Sequence, residues 1–96
     1  MFAAIRQYQV DPGSVEEVAG RVEEGFVPIM RDTPGFVAYF VLNAGQGEIG
    51  SVSLFEDQQS AEESNRRAEE WVSRNLSDVL PSPTFAAGEV MVYAAK

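Results

Sequence analysis

The chain has 96 residues, of which 45% are hydrophobic and 10% aromatic, a composition expected to form one globular domain over residues 1–96. Its 15 acidic and 7 basic residues leave a net charge of -8, which disfavours nucleic acid and anionic membranes, because both draw their affinity from Lys and Arg. It contains no cysteine and no histidine; that removes disulfides, thiolate nucleophiles, the Ser–His dyad, the usual zinc and iron ligand sets and proximal-His haem ligation. Carboxylates, tyrosines and arginines remain for acid–base work.

Phe2 to Val10 reads as a first strand, with Phe2, Ala4, Arg6, Tyr8 and Val10 on one face and Ala3, Ile5, Gln7 and Gln9 on the other. No basic segment followed by a long apolar run opens the chain, and no stretch approaches the roughly 20 apolar residues of a membrane span. A cytoplasmic location is expected by default. Asp11-Pro12-Gly13 turns the chain into a helix that Ser14 and Glu17 are placed to cap as a box. Val15, Val18, Ala19, Val22, Phe26 and Ile29 form its apolar stripe. Gly25 and Pro28 weaken it, and Pro28 is expected to start a separate turn to Arg31 before Thr33-Pro34-Gly35 ends it.

Phe36 to Leu42 is apolar without alternation and predicts a strand buried on both faces. Asn43 to Gly47 supplies a hairpin loop, and Glu48 to Phe55 returns with Ile49, Ser51, Ser53 and Phe55 on one face. Asp57 is the expected N-cap of a second helix. Its inner side carries Ala61, Ser64, Asn65, Ala68, Trp71, Val72 and Leu76. Its outer side carries acid–base pairs at i,i+4: Glu62–Arg66, Glu63–Arg67 and Glu70–Arg74. Glu69 also reads as solvated, so these carboxylates do not suggest a metal site. Pro81 and Pro83 block further helix, and Glu89 to Ala94 predicts the last strand.

The order strand, helix, strand, strand, helix, strand is that of an α+β, ferredoxin-like βαββαβ fold with a four-stranded antiparallel sheet. Both helices then cover one face only. The other face would expose more apolar surface than a soluble monomer usually shows. Face-to-face homodimerisation into a dimeric α/β barrel is the simple solution.

The chain resembles the antibiotic biosynthesis monooxygenase (ABM) domain family of the dimeric α/β-barrel superfamily, including its uncharacterised bacterial members. The resemblance rests on the first strand with Asp11-Pro12-Gly13-Ser14, on Thr33-Pro34-Gly35-Phe36 leading to Tyr39, on Ser51 through Asp57, and on the following helix to Trp71-Val72. It implies a pocket inside each subunit, between sheet and helices. It also implies a cofactor-independent monooxygenase acting on hydroquinones or phenols, with no cofactor and a small aromatic ligand. Many members carry a histidine about where Ser64 and Asn65 stand and another near Trp71; this chain has neither, which speaks against haem degradation.

Arg6 is the most unusual residue, a cation in a central strand that needs either a ligand or a partner such as Glu89. Ser64 and Asn65 could bond a phenolic oxygen or only the sheet. Trp71 could stack on an aromatic ligand or simply pack. Tyr39 and Tyr93 are candidate proton donors, and Ser51 and Ser53 candidate cavity walls. Three readings follow: a cofactor-free oxygenase in which the substrate's own phenolate or carbanion reduces dioxygen, a non-catalytic ligand-binding homodimer, and a structural module. A cavity among Arg6, Tyr39, Asn65 and Trp71 separates the first two from the third.

Overall fold

The computed structural model describes all residues, Met1–Lys96. Strand β1 (Phe2–Gln9) is followed by a 3-10 turn (Pro12–Ser14), helix α1 (Val15–Arg21), a π turn (Val22–Phe26), helix α2 (Val27–Arg31), strands β2 (Phe36–Gly45) and β3 (Glu48–Phe55), helix α3 (Gln58–Asn75) and strand β4 (Thr84–Glu89). The sheet runs β2-β3-β1-β4, with every neighbouring pair antiparallel. This is the expected α+β ferredoxin-like order.

Pairing settles which side chains share a row. Val41, Ser51, Arg6 and Phe85 lie in one cross-strand row on the helix side, and Tyr39, Ser53, Ala4 and Ala87 in the next. One step off, Phe40, Val52, Ile5 and Ala86 form a row on the opposite face. The core lies between the helix-side face and α1, the π turn and α3, with Phe55, Met30 and Leu76 the largest fully buried side chains.

Local chemistry explains most boundaries. Asp57 accepts from the Ser60 amide at 2.8 Å and starts α3 as expected. These bonds, from amide and side chain of Ser60, hold the Asp57 carboxyl below its usual range. At the hairpin, Gly45, Gln46 and Gly47 all take positive φ. A Cβ on Gly47 would stand 2.1 Å from the Val10 carbonyl oxygen, so the close approach of the two chains requires glycine there.

Several expectations are corrected. Ser14 makes no capping bond; Asp11 caps instead, accepting from the Gly13 amide at 2.8 Å, because the chain enters through a 3-10 turn. Glu17 pairs with Arg21 at 2.8 Å. The weakening expected at Gly25 and Pro28 does occur: α1 ends at Arg21, the π turn carries Gly25, and Pro28 stands in the first turn of the separate helix α2, which ends at Arg31 as expected and where a missing donor costs little. Glu63–Arg67 and Glu70–Arg74 form on the outer side of α3, whereas Arg66 turns to Glu63 and Glu62 accepts from Gln58.

Strand β2 is an edge strand with a register shift between Phe36 and Ala38, so it is not buried on both faces within one chain. Phe40 and Leu42 are each 52% exposed. The last strand is Thr84–Glu89 rather than Glu89–Ala94. It pairs with β1 from Gln7 back to Phe2, and the Val90 amide donating to the Met1 carbonyl at 2.9 Å is the last such bond. Met91, Val92 and Tyr93, beyond that bond, are exposed.

Candidate functional site

Arg6 is 8% exposed in the middle of the sheet. Its register partners are Ser51 and Phe85, while Glu89 sits opposite Phe2. The expected Arg6–Glu89 pair is therefore absent: four residues of register separate them, and no carboxylate forms a salt bridge with Arg6. The guanidinium carbon instead lies 5.0 Å from the centre of the Phe85 ring, in cation–π range. Arg6 Nη2 is buried with no protein acceptor. Burying a charged donor in that condition is costly, and native structures keep few such groups.

A second unsatisfied atom, Asn65 Oδ1, is buried on α3. Arg6 and Asn65 both line a groove of about 460 Å³ between the sheet, α3 and the 77–83 connection. Tyr8, Glu69, Val72, Ser77 and Phe85 share its wall. The residues that carry a spare cationic donor and a spare amide acceptor thus border one space. A hydroxylated aromatic could satisfy both, taking a hydrogen bond from Arg6 at one oxygen and donating to Asn65 from another.

A small chamber of about 40 Å³ lies beside the groove, and Arg6, Tyr8, Ala68, Val72 and Leu80 line both spaces. Tyr39, Ser51 and Trp71 complete it with Val22 and Phe26. Trp71 packs on Phe26 at 5.5 Å between ring centres, and Tyr39 meets Phe26 edge-on at 5.7 Å. Gly25 makes room for the indole: a Cβ there would stand 2.8 Å from Trp71 Cζ2. Burial pushes the Tyr39 hydroxyl up to about 12, with Tyr8 adding to the rise and Arg6 and the Ser51 hydroxyl opposing it. Burial also raises Tyr8, which Arg6 partly offsets and Glu69 augments. Both phenols therefore stay protonated near neutral pH, as donors rather than bases.

Of the predicted positions, Arg6, Tyr39, Ser51, Asn65 and Trp71 converge on these two connected spaces. Ser53, Ser64 and Tyr93 do not. The Ser53 hydroxyl donates to the Ala4 carbonyl at 3.4 Å, and Ser64 to the Met30 sulfur at 3.8 Å, both in packed core. Tyr93 lies past β4 and is 61% exposed. Tyr8, Phe85 and Glu69 were missed. Tyr8 shares the inner face with Arg6, a signal already present in the alternation; Phe85 was hidden by the displaced last strand. Glu69 was read as one of the outer, arginine-paired carboxylates, yet it forms no ion pair and stands at the groove. No three carboxylates come close enough to hold a metal ion.

The profile of one protein family, described as antibiotic biosynthesis monooxygenase, matches residues 1–73. No curated protein sequence matches the chain. Among solved structures, a protein of unknown function from Nitrosomonas europaea superposes with a TM-score of 0.82 at 18% identity, over 99% of this chain and 93% of that one. A monooxygenase of Streptomyces coelicolor, solved with nanaomycin D, superposes with a TM-score of 0.78 at 19% identity, over 99% and 91%. HapK from Hahella chejuensis follows at 0.75 and 16%, each chain covered in full. At these identities the structural likeness speaks for the fold, and the profile match over most of the chain speaks for the family. The protein belongs to the antibiotic biosynthesis monooxygenase family.

Proposed function

We propose that the protein binds a small hydroxylated aromatic molecule in the Arg6–Asn65 groove and oxidises it with dioxygen without a cofactor, a hydroquinone being the simplest substrate. The observation that carries this reading is that two residues lining one groove, Arg6 and Asn65, each hold a buried atom without a partner, Nη2 and Oδ1. The Streptomyces monooxygenase solved with nanaomycin D gives the fold a precedent for a bound ligand.

The chemistry asked of the protein is modest. Arg6 stabilises the phenolate and so favours loss of the phenolic proton, which Glu69 at the rim can pass to solvent. Asn65 orients the second hydroxyl. The phenolate gives one electron to dioxygen, and the resulting radical pair closes a ring C–O bond. The hydroperoxide then loses water, so that hydroquinone and dioxygen become hydroxyquinone and water. Tyr39, protonated throughout, can donate to the developing peroxide oxygen.

A second reading, ligand binding without turnover, is favoured by the lack of histidine and cysteine and by the single carboxylate in the groove. Calorimetric titration with hydroquinones, run beside an oxygen electrode, separates the two. Binding with oxygen uptake supports the oxygenase, and binding without uptake supports the alternative. No binding by any hydroxylated aromatic refutes both.

We also propose that a second copy covers the outer sheet face, where the row Phe40, Val52, Ile5 and Ala86 is apolar and substantially exposed. Family membership supports this, as does the small size of the chain.

A further inference from the structure

The 40 Å³ chamber is poorly matched to the aromatic substrate. A cavity that takes up benzene has about 150 Å³, so no ring fits beside Trp71 and Tyr39. It is also more apolar than a water site: 12 of its 14 lining residues are hydrophobic, Arg6 and Ser51 being the others. Voids of this kind are few in close-packed interiors, and those lined by apolar groups stay dry.

Two features show how the void is kept. The π turn Val22–Phe26 puts buried side chains from both its ends, Val22 and Phe26, into the chamber wall. A single π turn within a helix is uncommon and often marks a functional site. Gly25, in the same turn, lets the Trp71 indole lie against the helix instead of turning away.

The chamber also has two sides. Towards α3 it shares Arg6 and Tyr8 with the substrate groove. Towards the β2–β3 hairpin it shares Val22, Tyr39, Val41 and Ile49 with a separate surface groove of about 320 Å³, walled further by Val15, Ala19 and Val27. The chamber that Arg6 lines is therefore bordered by a second, mainly apolar groove that Arg6 itself does not line.

We propose that this chamber is the dioxygen site, supplied through the hairpin-side groove. The proposal rests on the oxygenase reading above. Dioxygen is small and apolar, makes no strong hydrogen bonds and dissolves better in apolar surroundings than in water. On taking an electron from the phenolate it becomes superoxide, and Arg6, which lines both spaces, then stands beside the new anion as well as the substrate oxygen. Separate entrances also let the gas reach the site after the aromatic has closed the larger groove.

Methyl NMR under dissolved dioxygen tests occupancy without turnover, because the paramagnetic gas speeds relaxation wherever it resides. Methyls of Val18, Val22 and Leu76 should relax at least about three times faster than those of Val10 and Met30, which are comparably buried but line neither space. Val22→Leu, or the milder Val22→Ile, should remove that excess and raise KM for dioxygen while leaving the hydroquinone Kd within about twofold, since Val22 does not line the substrate groove. Uniform relaxation, or an ordered water in the chamber, with turnover intact overturns the dioxygen site alone. Absence of oxygen uptake by the wild type with every hydroquinone overturns the oxygenase reading, and the chamber's role in turnover falls with it.

Discussion

Replacing Arg6 with methionine should make the protein more stable and worse at binding its ligand. Methionine has similar length and reach but no donor. In the folded chain Arg6 is 8% exposed, has no acidic partner and leaves Nη2 without an acceptor. An unsatisfied buried donor costs about 1–3 kcal/mol, and more when charged. Against this stands the Phe85 contact at 5.0 Å, worth about 0.5–1 kcal/mol because that ring is half exposed. The balance favours Arg6→Met by about 1 kcal/mol or more, which in a domain of this size raises Tm by roughly 4–8 °C. Ligand affinity moves the other way. A hydrogen bond from a charged group contributes about 1.5–3 kcal/mol, so Kd for a hydroquinone should rise roughly 10- to 150-fold. Paired thermal melts and titrations at one protein concentration measure both, fixed concentration being needed because association shifts Tm. A fall in Tm with unchanged Kd would show Arg6 to be a structural cation, and the functional reading would lose its main support.

Three further outcomes follow from the geometry. Gly25→Ala should cost about 1–2 kcal/mol, because the new methyl meets Trp71 Cζ2 at 2.8 Å and overpacking outweighs the helix-propensity gain of about 1 kcal/mol. Gly20→Ala, with nothing within 4 Å, should be neutral or stabilising, and the single tryptophan reports the difference by fluorescence. The raised Tyr39 makes stability pH-dependent on the alkaline side: its share is complete below the usual tyrosine value near 10 and is lost as pH rises through about 12. On the order of 2 kcal/mol is at stake, so wild type should lose more stability than Tyr39→Phe between pH 9 and pH 12, and parallel loss would contradict the assignment. Finally, Phe40→Glu on the outer sheet face should leave the fold intact by circular dichroism but yield a monomer in sedimentation; an unchanged dimer would place the interface elsewhere.

Much of this was readable before any coordinates. Alternation alone put Arg6 and Tyr8 on one face of the first strand and Ile5 on the other, and Ser51 and Phe55 on one face of the third and Val52 on the other, because side-chain direction in a strand repeats every two residues. The Asp57 cap and the glycine-rich hairpin were equally local, each depending on a few neighbouring atoms. The absence of histidine and cysteine closed off whole classes of chemistry outright.

What stands opposite Arg6 was decided only in three dimensions. Phe85, not Glu89, is its partner, because the register of β4 on β1 is a relation between segments far apart in the chain. Likewise Ser64 and Asn65 are adjacent, yet one bonds Met30 in the core and the other opens onto the groove. About 100° of helix rotation separates them, following from 3.6 residues per turn. Composition and period determined which residues face inward, whereas strand register and helix rotation, set by packing across the whole domain, decided which of them meet.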